Sequence, residues 1–360
     1  MLIGAAQPIQ IACAAHDDKR KSRRYENQSQ ELRMLERVEA DQSVAVFKLL
    51  AVVVLYKMKP SESIAFSSLQ ATISCVEPGL TEVNILLYDN TPGGQDVGIL
   101  PANVHFKSDP TNDGLAKAYN YALEMAREGG FDWLLTLDQD TSLSLDFLSR
   151  LRNTAMFVAP MDSVAAIVPC ISSDGRVVSP FALTKHLELT KCIPSGFIGI
   201  PFEDVYAANS ASTIKVRALQ VIGGYDPRFY LDFSDLVMYR RLHARGLRVF
   251  VVGDIQVEHE LAGLDLKNRS TPDRYENTYR AEEAAYDEYM GRVAGVVLTA
   301  RILYRLIYKL WQINGSLSYF RIGLRFLCRR LFYSRNSRLE SWEQFIKRRS
   351  AVQAAVGPGE

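Results

Sequence analysis

Trp133-Leu134-Leu135-Thr136-Leu137-Asp138-Gln139-Asp140 is an apolar run that breaks off into two acids separated by one residue. In an extended segment residues i and i+2 point to the same side, so Asp138 and Asp140 present two carboxylates to one spot just past a strand end. Hard divalent cations take such oxygen ligands, and Mg²⁺ is commonly held by one or two carboxylates together with substrate phosphates. A solvated turn can carry the same triplet. The buried strand in front of it favours a metal–diphosphate site.

Strands and helices alternate on both sides of this run. Val52-Val53-Val54-Leu55-Tyr56 is a continuous apolar stretch of the kind found at the centre of a parallel sheet covered on both faces. Residues 61–76 read as a helix opened by Pro60-Ser61. Residues 83–88 form a second strand that ends at Asp89-Asn90 and the turn Thr91-Pro92-Gly93-Gly94. A short strand at 104–106 and a helix at 114–127, stopped by Gly129-Gly130, follow. Beyond Asp140 the pattern gives a helix at 145–157, a strand at 164–169, poorly periodic hairpins and loops at 175–202, helices at 216–222 and 235–245, and a strand at 248–252. This is an α/β chain with a mostly parallel central sheet flanked by helices. Ligands of such sheets bind beyond the carboxyl ends of the strands. Asp89-Asn90, Asp138-Gln139-Asp140 and Glu258-His259 each follow an apolar strand and are expected to converge on one face.

Composition narrows the function classes. The 360 residues are 48% apolar with a net charge of +1, which supplies a sizeable core and argues against a nucleic-acid-wrapping protein. The five cysteines are odd in number, scattered and without a C-x-x-C pair, so neither a zinc cage nor a disulfide framework is expected, and reduced thiols of a cytosolic protein are. No secretory signal is visible at the amino terminus. Residues 1–43 read as a disordered or loosely helical tail. No apolar run of about 18 residues or more suggests an ordinary transmembrane helix.

Residues 266–350 are expected to be helical, with 351–360 as a tail. Between Gly291 and Ser350 thirteen basic residues face two acidic ones. Arg301, Arg305, Arg321, Arg325 and Arg329 recur at helical spacing, the pattern of a basic amphipathic helix in a membrane interface. The expectation is a peripheral enzyme on the inner face of the cytoplasmic membrane, bound through 291–349. Its aliphatic content favours lipid over nucleic acid. The competing reading packs these helices on the catalytic domain with the arginines reaching past the apolar surface.

Three further stretches carry candidate chemistry. Asp109-Pro110-Thr111-Asn112-Asp113-Gly114 leads into a helix whose first amides are free and favour an anion, although Asn112 or Asp113 as ordinary caps explains it equally well. Asp232 and Asp235 stand three apart where a helix begins. One could cap it while the other takes a proton as general base. His259, between Glu258 and Glu260, is open as an imidazole metal ligand.

These stretches, in this order, resemble glycosyltransferase family 2, and more narrowly its bacterial rhamnosyltransferase-like members. The resemblance covers residues 46–263. Asp89-Asn90 is similar to the family's Asp-Asn-Ser turn, Asn112-Asp113-Gly114 with Asn120 to its Asn-x-Gly…Asn helix start, and Asp138-Gln139-Asp140 to its D-x-D motif. Gly223-Gly224-Tyr225-Asp226-Pro227-Arg228-Phe229 resembles the segment before the catalytic acid, and His259-Glu260-Leu261-Ala262-Gly263 the His-x-Leu-Gly stretch. The resemblance implies a GT-A type nucleotide-sugar-binding fold and an inverting single displacement. It implies Mg²⁺ or Mn²⁺ on Asp138 and Asp140 with His259, and a nucleotide-diphosphate sugar donor, in the narrower group dTDP-rhamnose. Donor contacts would come from Tyr56, Asp89, Asn90, Asn112, Gly114, Lys117, Asn120, Asp138 and Gln139. Asp235 would be the general base with Asp232 as understudy. The acceptor would be a hydroxyl of a saccharide or lipid-linked molecule in cell-surface polysaccharide synthesis.

The chain departs from the pattern at three places. Ser234 replaces the Glu before the catalytic Asp, Val237 stands where a second acid is common, and Asn209-Ser210-Ala211-Ser212 replaces a Ser-Gly-Ser-like acceptor loop. A catalytically degraded, nucleotide-sugar-binding regulatory protein is the alternative. A nucleotidyltransferase would need a Gly/Arg-rich loop after the first strand, which Tyr56-Lys57-Met58-Lys59 does not offer.

Overall fold

A computed structural model describes residues 46–173, 175–183, 190–259, 271–311 and 317–356. The amino-terminal tail expected at 1–43 lies outside them. In chain order the elements are β1 (Phe47–Leu55), α1 (Ile64–Ile73), β2 (Thr81–Asp89), β3 (Val104–Ser108), α2 (Leu115–Glu128), β4 (Trp133–Asp138), β5 (Thr141–Ser142) and α3 (Phe147–Val158). There follow β6 (Val164–Ser173), β7 (Arg176–Ser179), β8 (Phe181–Leu183), β9 (Thr190–Cys192), β10 (Ile198–Gly199), β11 (Val205–Tyr206), β12 (Ser212–Lys215), α4 (Val216–Ile222), α5 (Ser234–His243) and β13 (Arg248–His259). The chain closes with α6 (Pro272–Tyr289), α7 (Arg292–Trp311), α8 (Leu317–Phe332) and α9 (Arg335–Val356).

The main sheet runs β10-β13-β6-β12-β4-β1-β2-β3. β3, β2, β1 and β4 are parallel neighbours, β12 runs antiparallel between β4 and β6, and β13 is parallel to β6. The sheet is mostly parallel, as the alternating pattern requires. β1 shows why its apolar run is unbroken. Leu50, Val52 and Val54 enter the core under α2 and α5, while Leu49, Ala51, Val53 and Leu55 enter the core under α1 and α3. Both faces of a central parallel strand are dry, so no position is free to be polar.

The poorly periodic stretch after β6 resolves into short strands, including a second sheet of order β11-β8-β9. β13 is longer than the five residues expected: it runs past a register shift between Val252 and Gln256 to His259, where it pairs with β5. That pairing brings the backbone of His259 beside Thr141, one residue beyond the D-x-D triplet.

The carboxyl-terminal helices pack on α6 through charge. Arg301 and Arg305 of α7 pair with Glu282, and Arg325 and Arg329 of α8 pair with Glu276 and Glu283. Arg330 of α8 and Arg338 of α9 both pair with Asp287 (2.6 and 2.7 Å). Four of the five arginines at helical spacing are therefore spent on acids of α6, and Arg321 is exposed with no ion pair among the described residues. The helical stripe is an inward, packing face. This corrects the expectation that its guanidinium groups line a headgroup layer: Glu282 and Glu283 are buried, and a buried carboxylate holds its cation far more tightly than solvent does. Among the described residues no helix is long and apolar enough to cross a membrane.

Candidate active site

β1 lies between β2 and β4, so successive strands leave it in opposite directions. The carboxyl ends of β1 and β4 are the switch point of the sheet, where loops diverge and a crevice opens. One hydrogen bond spans it: the Tyr56 amide donates to Gln139 Oε1 at 2.8 Å. The Gln139 carbonyl accepts from Ser63 Oγ (2.8 Å) and from the Ala65 amide (3.2 Å). Gln139 thus ties the ends of β1 and β4 to the start of α1. Its side chain braces the rim, which leaves little of it for a donor. The Tyr56 ring stands at the rim, 42% exposed.

Strand register aligns the polar residues. Leu55 lies across from Asp89, Asp89 from Ser108, and Val54 from Asp138. Asp89 is fully buried. Its Oδ1 accepts from the Thr91 amide and from Gln95 Nε2, both at 3.0 Å. Among the described residues its Oδ2 and Asn90 Oδ1 are buried with no hydrogen-bond partner. A buried acceptor left unpaired costs about 1–3 kcal/mol, and both atoms are closed to solvent in this arrangement.

Across β3, Asp109 organises the next loop. Tyr88 donates to it at 3.0 Å and Thr111 at 2.6 Å, and Lys117 reaches both Asp109 and Asp113. Burial alone would raise the Asp109 carboxyl, but hydrogen bonds from Thr111 and Lys117 outweigh it and hold it below the usual carboxylate range. Lys117 is therefore shared between two loop carboxylates. Asn112 sits at φ +52° and Gly114 at φ +98°. A Cβ on Gly114 would lie 2.3 Å from the Tyr230 carbonyl oxygen, which instead accepts from the Ala116 amide at 3.2 Å. Gly114 is required both by its dihedral and by this close approach. Asn120 Nδ2 donates to the Tyr225 carbonyl (2.9 Å) and Oδ1 accepts from the Tyr225 amide (2.8 Å). Both ends of its amide are used in joining α2 to the segment before α5.

The acids meet at the start of α5. Asp235 is buried in the first turn, with Oδ1 accepting from the Leu236 amide at 2.7 Å. Burial pushes its carboxyl above the usual range, and the Asp138 and Asp232 carboxylates add to the shift. The same cluster raises the buried Tyr119 and Tyr225 phenols, chiefly by burial and then through neighbouring charges that include Asp138 and Asp235. Asp138 and Asp235 therefore belong to one electrostatic neighbourhood although 97 residues separate them in sequence. Asp232 is different. Arg274 of α6 grips it with both terminal nitrogens, one at 2.6 Å, and Thr278 donates to it at 3.1 Å. Arg274 and Thr278 thus occupy the Asp232 carboxylate, which leaves Asp235 as the candidate base.

The departures from the family pattern have physical explanations. Ser234 Oγ accepts from Asn209 Nδ2 at 3.0 Å, and Val237 is fully buried in the core. Ala211 adopts φ +59° where the family has Gly, with its amide donating to the Thr136 carbonyl at 2.7 Å. Ser210 Oγ accepts from the Asp138 amide (3.3 Å) and bonds the Thr141 hydroxyl. Residues 209–212 thus act as a strut behind the D-x-D backbone.

For a cation, Asp138 and Asp140 offer two half-buried carboxylates of the right type, and donor phosphates would supply further oxygens. Among the described residues no group of three or more His, Cys, Asp or Glu is arranged around a metal position. The His259 side chain lies outside the described set, so its role as third ligand remains a proposal. A cavity of about 510 Å³ lined by Arg240, Arg241, His243 and Arg245 opens at the far end of α5 from Asp235 and takes no part in this cluster.

Sequence reasoning missed Arg274, Thr278, Ser63 and the Ser210–Thr141 pair. No local signal marks them, because each acts across a distance along the chain that only folding closes. Asn209 and Ser210 were noted only as a departure.

No family model matches the chain. A curated relative, "dTDP-rhamnosyl transferase RfbF" of Shigella flexneri, is 22% identical over 164 residues, covering 46% of this chain and 54% of that protein. The chain thus spans about half the length of the curated relative it matches. Among solved structures, residues 1–349 of S. aureus TarS superpose with a TM-score of 0.51 at 13% identity, covering 79% of this chain and 81% of that one. The same S. aureus fragment in complex with UDP gives 0.49 at 13% identity over 84% and 90%. The parallel sheet, its switch-point rim and the superposition at 0.51 agree: the chain has the fold of the GT-A glycosyltransferases.

Proposed function

We propose that the chain is a metal-dependent, inverting glycosyltransferase that moves a sugar, with rhamnose as the first candidate, from a nucleotide-diphosphate donor to a hydroxyl of a saccharide or lipid-linked acceptor. The observation that carries the reading is the half-buried Asp138 and Asp140 carboxylates at the switch-point rim, in one electrostatic neighbourhood with the buried Asp235. The exposed Tyr56 ring at the same rim offers a face for the nucleobase. The nucleotide base itself is left open.

Asp138 and Asp140 would hold Mg²⁺ or Mn²⁺, which neutralises the charge gathering on the leaving diphosphate when bound. Asp235 takes the proton from the acceptor hydroxyl. The freed oxygen attacks the anomeric carbon, the bond to the diphosphate breaks on the opposite face, and the anomeric centre inverts. Burial lifts the Asp235 carboxyl, which strengthens it as a base.

Membrane association is kept as part of the proposal, on different residues from those the sequence suggested. Val293, Val296, Leu303, Tyr304 and Ile307 of α7 are exposed and fall on one side of the helix, an apolar stripe on the face away from α6. Flotation with vesicles of anionic and neutral lipid tests it, and failure to float with either removes it. The cytoplasmic face of the membrane is where the donor would be met.

Burial of Val237 and the engagement of Ser234 with Asn209 favour, as a second reading, a sugar-nucleotide-binding protein without turnover. Incubation with a panel of nucleotide sugars and Mn²⁺, followed by NMR of the product's anomeric proton, separates the two. Transfer or donor hydrolysis with an inverted anomer supports the enzyme. Binding without turnover of any donor supports the second reading.

A further inference from the structure

The last turns of α9 lie across the loop that carries Asn112 and Gly114. The helix is seated at its middle: Trp342 is buried, tilted on Phe229 at 5.5 Å and stacked on Phe345 at 5.6 Å, and Glu343 accepts from Arg228 at 2.9 Å. Two turns on, the Arg349 guanidinium sits 3.6 Å from the centroid of the Tyr230 ring and donates from Nη2 to the Asn112 carbonyl at 3.1 Å. Gln353 Nε2 reaches the Thr111 and Asn112 carbonyls at 3.5 and 3.4 Å. Tyr230 is the residue whose carbonyl accepts from Ala116 and abuts Gly114.

These contacts divide the support of the loop. Asp109 holds its inner side, with the Asn112 amide donating to the Asp109 carbonyl at 3.0 Å. The outer carbonyls at 111 and 112 are held only from α9 among the bonds described. Asn112 is in the left-handed region, which asparagine enters more readily than other non-glycine residues. Arg349 holds its carbonyl in that conformation. Its partly desolvated cation lies over the Tyr230 face and bonds the Asn112 carbonyl, with Asp113 and Asp109 of the same loop acting on its charge.

We infer that α9 is a brace across the donor loop, with Arg349 as the residue that positions 112–114, and through them the first turn of α2, for a nucleoside diphosphate. The inference rests on the glycosyltransferase reading for its ligand. The brace itself rests on geometry alone. Arg349 touches no reacting atom, so its effect belongs to donor affinity and not to the chemical step.

The test uses the full chain, as wild type, Arg349→Ala, Arg349→Lys and Gln353→Ala, each checked for an unchanged melting transition. Hydrogen exchange of residues 111–116 and titration with UDP, dTDP and GDP in Mn²⁺ are measured together. Arg349→Ala is expected to speed exchange in 111–116 without changing β1 or β4, and to weaken nucleotide binding about tenfold. Arg349→Lys, which keeps a cation over Tyr230, restores part of both losses. Gln353→Ala shows the same pattern more weakly. Where turnover is measurable, donor KM rises in Arg349→Ala while kcat stays within about twofold. A folded Arg349→Ala with wild-type exchange in the loop and wild-type nucleotide affinity overturns the inference. A wild type that binds none of the three nucleotides overturns the donor reading instead, and the exchange comparison then decides the brace by itself.

Discussion

The switch-point rim and the carboxyl-terminal helices use charged residues in opposite ways. On α6, Glu276, Glu282, Glu283 and Asp287 each face at least one guanidinium from α7, α8 or α9. At the rim, Asp89 and Asn90 each keep a buried oxygen with no partner among the described residues, and Asp235 is buried near other carboxylates. The first arrangement gives every acid a guanidinium, although Glu283 Oε1 makes no hydrogen bond among the described residues. The second brings carboxylates together, the arrangement in which perturbed acids mark functional sites. A buried acid is thus a sign of function only after its partners have been counted.

The largest effect should come from Asp235. Asp235→Asn is expected to lower kcat by about 10³-fold while nucleotide affinity stays within a few-fold, because it removes a general base and not a donor contact. Its titration gives a further check. The carboxyl is raised in the folded protein, and the deprotonated form is the active one. Activity should therefore fall as pH drops through a value above the ordinary aspartate range, and a rate flat down to that range would contradict the assignment.

On the scaffold side, Asp287→Ala strands the buried Arg330 and Arg338. It should cost about 3–5 kcal/mol in chemical denaturation, with nucleotide affinity unchanged in the fraction that folds. Gly114→Ala crosses the two regions. It must place a methyl against the Tyr230 carbonyl at positive φ, which should cost about 1–3 kcal/mol and weaken nucleotide binding as the loop shifts. The smallest stability effect is expected at Asn90→Ala. Removing an unpaired buried oxygen should leave stability unchanged or raise it by up to about 1–2 kcal/mol, while binding weakens. Loss of stability there would mean that the side chain has a structural partner after all.

Much of the fold was legible because local physics fixes it. The β-branched run of β1, the apolar strand before Asp138 and the helix at 216–222 lie where periodicity and Gly223-Gly224 put them. The two-residue strands β5, β10 and β11 were not legible, since they exist only by pairing with distant partners. The arginine periodicity of α7 and α8 was read correctly as helix, but its direction was not. Whether a cationic stripe faces lipid or a buried acid depends on the acids of α6, about twenty or more residues away in sequence. Within the site, the strand-end acids were visible as motifs. The pairing of Arg274 with Asp232, across 42 residues, was not, and it is what separates the two candidate bases.

The central claim is that the rim around Asp89, Asn90, Asp138 and Asp140 is a metal-dependent nucleotide site. Calorimetric titration of the wild type and of Asp138→Ala/Asp140→Ala with UDP, dTDP and GDP, with and without Mn²⁺, tests it most directly. The account predicts binding of at least one nucleotide that strengthens with Mn²⁺ in the wild type and loses that dependence in the double variant. Binding of none of them by the folded wild type, or Mn²⁺-dependent binding that survives in the double variant, would contradict it.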